Sequence, residues 1–233
     1  YLLNDAGSIC LDYTKVMAEQ LEQLQLKLLG TSDTLIGNIS ITAISAMAQE
    51  FLLPAIAEFQ KLHPGITVEL ISSNQELDLR RGVADIALRA TDSPPEYLIG
   101  HKLFDVPWQV MAGESFFESY PQPVNWQQAQ LLPWIEINSA INNRVRKYFN
   151  QQMSPMSYVL TCNDVELAAA AVAANVGLAY LPQSPHFAKH RLQQVNTLML
   201  DAKIYYSQIW LLVHPDLKGN VRVMSFYRYI VQY

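Results

Sequence analysis

His186 and His190 stand four residues apart in the stretch HFAKH. That spacing puts two imidazoles on one helix face, where a pair can hold a metal ion. The hydrolytic form of the motif needs a glutamate directly after the first histidine, to act as general base. Phe187 stands there instead, so the pair reads as surface side chains and no metal site is expected. His63, His101 and His214 fall in loop-like contexts, and no carboxylate–histidine–nucleophile trio can be assembled around them. GxSxG, GxxxxGK[ST] and GxGxxG are all absent, so neither a nucleophile elbow nor a phosphate or dinucleotide loop is signalled. Asp85, Asp105, Asp164 and Glu166 read as caps or solvated charges. The expectation is a protein that is not an enzyme and needs no cofactor.

A different chemistry collects after the apolar runs. Thr42-Ala43-Ile44-Ser45, Ser72-Ser73-Asn74, Arg89-Ala90-Thr91, Asn138-Ser139 and Thr161-Cys162-Asn163-Asp164 each follow a strand-like segment. Small hydroxyl and amide residues beside helix N-termini offer N–H groups and a favourable dipole to a polar or anionic guest. Each alone is a cap or turn. Five such ends together point to a small-molecule cleft.

The elements that would position them follow from periodicity. Ile39 to Thr42 reads as a strand, and Ala46 to Leu62 as a helix interrupted by Pro54. Ile66 to Ile71 reads as a second strand, a βαβ unit in about 35 residues. Leu77 to Gly82 reads as a short helix and Asp85 to Arg89 as a third strand, followed by strands at Leu103–Met111 and Trp134–Ile137. A helix from about Asn142 to Met153 and a strand at Tyr158–Thr161 come next. The stretch CNDVELAAAAVAANVGLAYLPQ then reads as a capped, alanine-rich helix that Gly177 ends in a left-handed conformation. A buried strand at Leu178–Leu181, a strand at Ile204–Val213 and a helix at Asn220–Val231 complete a doubly wound α/β pattern.

Ahead of all this lies a long helix. Ile9, Tyr13, Val16, Met17, Leu21, Leu24 and Leu28 recur at spacings of three and four, with Asn4 or Asp5 as cap. About 25 residues span near 37 Å. The single stripe either packs on its own domain or pairs with a second copy. Gly30-Thr-Ser-Asp-Thr reads as a linker to the rest.

The 233 residues allow one large domain or two small ones. Net charge is −5, with 16 Lys plus Arg against 21 Asp plus Glu, so the chain by itself is not expected to bind nucleic acid. Two cysteines, Cys10 and Cys162, without a CxxC signal neither a disulfide framework nor zinc, and make the cytoplasm the default. No apolar run nears the roughly 18 residues of a membrane span.

Several stretches in order resemble the LysR-type transcriptional regulators. YLLNDAGSICLDYTKVM is similar to the start of that family's linker helix, with Asn4 where threonine is usual. GNISITAISAMAQEFLLPAIAEFQKLHPGITVEL resembles its first βαβ unit, including LLP, the EF pair and the HPG turn. GVADIALR resembles its G-x-x-D-x-x-x-R signature. The alanine-rich stretch resembles its late NDVE…LP motif, with Asn175 and Val176 where alanine or glycine is common.

The resemblance implies an α/β fold of two Rossmann-like subdomains, of periplasmic-binding-protein type 2, preceded by a long linker helix. Residues 1–34 would be the linker and dimerisation helix, 35–107 with 209–233 the first effector-binding subdomain, and 108–208 the second. Two crossing strands, near Val106–Met111 and Tyr205–Val213, would form the hinge. The effector-binding residues carried over are Ala43, Ile44, Ser45, Ser72, Arg89, Thr91, Ser139, Asn163 and Gly177, with a structural role open for Arg89 at a strand end or on a carboxylate. A small metabolite, a carboxylate among the candidates, would bind there and shift a homodimer or homotetramer. The family's winged helix-turn-helix precedes the linker helix, and this chain begins where the wing should finish. It therefore reads as part of a longer regulator whose DNA contacts lie in the missing N-terminal domain. The alternative is a solute-binding protein of a transport system, which would be monomeric and exported and would have no use for the first helix.

Overall fold

The computed structural model describes residues 4–29, 35–73, 79, 82–138, 143–153, 157–195 and 205–233. Helix α1 (Asp5–Leu29) opens with the Asn4 side chain accepting a 2.9 Å hydrogen bond from the Gly7 N–H. The described side chains of its apolar stripe lie in solvent: Ile9, Tyr13, Val16, Met17, Leu21 and Leu24 are all more than half exposed. The linker reading at Gly30 to Thr34 lies outside the described residues, as does most of the short helix read at Leu77–Gly82.

Strand β1 (Gly37–Ala43) pairs in parallel with β2 (Ile66–Ser72) and with β3 (Ile86–Ala90). Between β1 and β2 runs a continuous helical segment, α2, made of Ser45–Met47, a π-turn at Ala48–Leu52 and an α-helix at Leu53–Leu62. Pro54, in the first turn of the last piece, has no N–H for the usual i→i−4 bond. A wider turn just before it accommodates the break, and such turns recur at functional positions.

Strands β4 (Ile99–Ala112) and β9 (Tyr206–Val213) are antiparallel, from Ile99↔Val213 to Pro107↔Tyr206. Strand β9 also pairs with β3, while the far half of β4 pairs with β7 (Ala179–Pro182) and β8 (Gln193–Gln194). The sheet order is thus β2-β1-β3-β9-β4-β7, with β8 also on β4. It is a mixed sheet, antiparallel where the two long strands cross. A second, parallel pair joins β5 (Trp134–Ile137) and β6 (Tyr158–Cys162), with α3 (Asn143–Met153) between them in sequence.

Two large apolar cores result. The first joins Ile39, Ile41, Leu52, Phe59, Ile86 and Leu88 to Ile209, Leu211, Phe226 and Ile230. The last two belong to α5 (Val221–Gln232), whose cap is Asn220, and the Phe59 and Phe226 rings meet edge-on at 4.9 Å. The second core gathers Trp108, Phe116, Trp134, Phe149, Leu178 and Leu181 around α4 (Val165–Ala173), the alanine-rich helix. Alanine keeps α4 slim, so Ala168 and Ala169 lie fully buried against its neighbours.

The end of α4 corrects an expectation. Asn175 takes the left-handed conformation, at φ 59°, and Gly177 does not. Gly177 is needed for closeness instead. A Cβ there would sit 2.8 Å from the Pro133 carbonyl oxygen, where β5 begins. At the start of α4, Asp164 is the cap, accepting a 3.0 Å hydrogen bond from the Leu167 N–H.

Candidate functional site

Alternation along β4 puts Phe104, Val106 and Trp108 on one face. Register sets Ile209 opposite Phe104 and Ser207 opposite Val106. These side chains form the floor of a cavity of about 740 Å³, its open mouth included. Ile44, Ala46, Met47, Glu50 and Phe51 from the start of α2 and its π-turn form one wall, with Ala90 from the end of β3. Val165 at the start of α4, then Pro182, Gln183, Ser184 and Phe187, form the other. The walls therefore come from both cores, and Ala46 of α2 itself packs into the second core.

Polar atoms are few. The Trp108 Nε1–H donates to Ser207 Oγ at 2.8 Å, so the indole nitrogen is satisfied within the floor. Gln183 Oε1 accepts from Gln109 Nε2 at 3.3 Å. At the edge, the Ser184 hydroxyl donates to the Glu50 carboxylate, tying the two walls together. Ser184 Oγ also accepts from the His186 N–H at 3.2 Å and so caps the short 3-10 turn Pro185–His190. The Phe51 ring stacks edge-on against Phe104 at 5.4 Å, holding the π-turn over the floor.

The two histidines of that turn are not a loose surface pair, as their sequence suggested. The His186 ring nitrogen bonds the Glu166 carboxylate, with Lys189 Nζ at 3.5 Å and His190 Nε2 at 3.8 Å from the same group. Glu166 is thus no solvated charge; it anchors the Ser184–Phe187 wall to α4. Among the described residues, no group of three His, Cys, Asp or Glu is placed to hold a metal ion.

On another side of the crossing strands, the Tyr205 hydroxyl donates to Asp92 Oδ2 at 2.7 Å, and the Tyr205 N–H donates to the Tyr180 hydroxyl at 3.3 Å. Burial pushes the Tyr180 phenol up to about 12, with the Tyr205 bond pulling the other way. Burial likewise raises the Cys162 thiol, which lies against the Asp164 and Glu136 carbonyls.

The residues expected at the site scatter around this cavity. Ile44 lines it. Ala43 is fully buried at the end of β1, its carbonyl accepting from the Ser73 N–H at 3.0 Å. Ser45 Oγ accepts from Gln49 Nε2 at 3.0 Å, and Ser72 is exposed at the end of β2. Arg89 is buried, donating to Thr42 Oγ1 at 3.2 Å and to the Ser73 carbonyl at 3.4 Å, a strand-end role. Thr91 donates its N–H to the Gln208 carbonyl at 2.9 Å and its Oγ1 accepts from the Ser93 N–H. Asn163 is exposed beside the α4 cap, and Gly177 is buried against Pro133. Ser139 lies outside the described residues. Asp85 is also no solvated charge: it accepts from the Ser40 N–H at 2.8 Å, and burial raises its carboxyl.

The floor and the Ser184 wall escaped the sequence reading. The signal available was the alternation in Phe104-x-Val106-x-Trp108, but its partner Ser207-x-Ile209 lies a hundred residues away, and only the register joins them.

Residues 32–233 match the LysR substrate binding domain family. The chain belongs to that family. It is 24% identical over 183 residues to an HTH-type transcriptional regulator of Xanthomonas campestris pv. campestris, covering 76% of this chain and 53% of that protein, about half of the relative's length. Among solved structures, the regulatory domain of CrgA, a LysR-type transcriptional regulator from Neisseria meningitidis, superposes with a TM-score of 0.72 at 20% identity, covering 84% of this chain and 98% of that one. The effector binding domain of QuiR in complex with shikimate superposes with a TM-score of 0.70 at 15% identity, covering 85% and 97%. The fold is therefore the two-lobed α/β fold of these regulatory domains. No helix among the described residues is long and apolar enough to cross a membrane.

Proposed function

We propose that this chain is the effector-binding and oligomerisation region of a LysR-type DNA-binding regulator of the cytoplasm, and that a small metabolite occupies the cavity on the crossing strands. The observation that carries this is the lining: Met47 and Phe51 come from one core, Val165 and Phe187 from the other, and the Phe104–Trp108 floor runs between them. A ligand gripped by both sides changes how they close on each other, and it shifts the population only through its different affinity for the open and closed states. The units that move are residues 35–107 with 209–233 and residues 108–208. The α1 helix, in residues 1–34, pairs with a second copy, which its exposed apolar stripe supports and which a monomeric transport protein would not need. Closure in a dimer or tetramer then repositions DNA-binding modules that lie outside this chain. The chain acts without catalysis, cofactor or metal.

The test is a thermal-shift screen of this chain against a metabolite panel, paired with a reporter driven by the complete regulator. A specific ligand at a hundred times its Kd adds about 2.7 kcal/mol, a rise on the order of 5–10 °C for a chain this size. A ligand that raises Tm must also alter transcription, and Met47→Trp must abolish both effects. Loss of the transcriptional response with ligand binding intact would place effector binding elsewhere.

A further inference from the structure

We infer that the cavity takes a small, uncharged, largely apolar ring compound carrying a hydrogen-bond donor, such as a phenol or an indole, and rejects carboxylates. This rests on the reading of the same cavity as the effector site. The lining holds four aromatic side chains, Phe51, Phe104, Trp108 and Phe187, besides Ile44, Met47, Val106, Val165 and Ile209. No lysine, arginine or histidine is among the described lining residues, and the charged one is Glu50. The nearby guanidinium of Arg89 points to Thr42 and Ser73 at the strand ends and is not part of the lining. A carboxylate entering here would give up its hydration without a cation to replace it, which is expensive in an apolar site. At the mouth it would also meet the like charge of Glu50, an exposed residue whose repulsion solvent partly screens.

The polar atoms favour a donor. Glu50 presents carboxylate oxygens, which have acceptor capacity beyond the single Ser184 hydroxyl. Gln183 Oε1 and Ser207 Oγ already accept from Gln109 and Trp108, and the donors those side chains also carry, an amide N–H and a hydroxyl, are neutral and do not balance a carboxylate's charge. A phenol O–H or indole N–H placed toward Glu50 completes the set, while the ring lies among the aromatic walls at offset or edge-on geometry.

The experiment compares matched probes on this chain: phenol against benzoate, and indole against indole-3-carboxylate, by thermal shift and calorimetric titration. Phenol or indole is expected to raise Tm by about 5–10 °C at a hundred times its Kd, and the matching carboxylate to leave it unchanged. Two cavity-filling variants, Ala90→Leu and Met47→Trp, are expected to lose the response, and their own melting curves report that they fold. Carboxylates that bind more tightly than their parent rings, and lose binding in both filled variants, would overturn the ligand class while leaving the effector cavity standing. A response to any probe that survives both filled variants would overturn the cavity itself. Silence toward both uncharged probes also overturns the ligand class.

Discussion

The Ser184 hydroxyl donates to the Glu50 carboxylate across the mouth of the cavity, from the wall built on the second core to the wall built on the first. The bond is local in space and remote in sequence, 134 positions apart. In the closure proposed above, this contact is kept when the two sides close and lost when they open.

Glu50→Ala is expected to lower unfolding free energy by about 1 kcal/mol, the net worth of one side-chain hydrogen bond. Glu50→Gln, which keeps an acceptor oxygen, should recover most of that. Urea melts of the three proteins decide it. Equal stability for the alanine and glutamine variants would mean that the bond carries no weight.

Arg89 offers a sharper contrast. Arg89→Ala leaves the Thr42 hydroxyl and the Ser73 carbonyl without this guanidinium in a buried strand end, and should cost about 2–3 kcal/mol. Ligand binding by the folded fraction should be unchanged, because Arg89 does not line the cavity. Calorimetric titration at a temperature where the variant is fully folded separates a stability role from a binding one.

Two neighbouring positions after α4 should respond in opposite ways. Gly177→Ala places a methyl 2.8 Å from the Pro133 oxygen, a backbone atom with no room to yield, and should destabilise by about 1–3 kcal/mol. Asn175→Gly relieves a left-handed non-glycine residue and should cost nothing or stabilise slightly, whereas Asn175→Ala should cost about 1 kcal/mol. Thermal melts of the three variants give the order.

Asp85 sets a pH dependence. Burial raises its carboxyl above the ordinary 3.8, against the lowering pull of the Ser40 hydrogen bonds. The native state therefore holds this proton more tightly than the unfolded chain. Its contribution is fully present below about pH 3.8 and is lost as pH rises through the raised native value. Asp85→Asn should remove that segment of the pH–stability curve while keeping an oxygen for the Ser40 N–H. Denaturant midpoints taken across the acid range, for both proteins, test the sign.

Much of the fold was legible because it depends on local pattern. The Trp134–Ile137 strand, the closing helix from Asn220 and the stripe on α1 need only a window of neighbouring residues. The helix after β1 was legible as a helix, but its π-turn depends on how the chain settles around Pro54. The cap at Asp164 was legible, while the exchange of roles between Asn175 and Gly177 was not, since it depends on Pro133 arriving from another strand. The site was the least legible part. Polar strand ends such as Ser45 and Thr91 stand out in sequence, whereas a cavity floor exists only once β4 and β9 are in register. His186 looked idle for the same reason: Glu166 lies 20 positions away and meets it only when the 3-10 turn docks on α4.

The first core draws on both ends of the chain, from Ile39 to Leu88 and again from Ile209 to Ile230. The second draws, apart from Ala46, on one continuous stretch from Trp108 to Val195. During synthesis the second core can therefore close while the first still waits. Until β9 leaves the ribosome, β3 has an open edge on the side that β9 will cover, and the β1–β3 sheet with α2 lacks the cover of α5. The core begun earlier is thus the one completed later, and the strand that completes its sheet is the same one that closes the cavity floor.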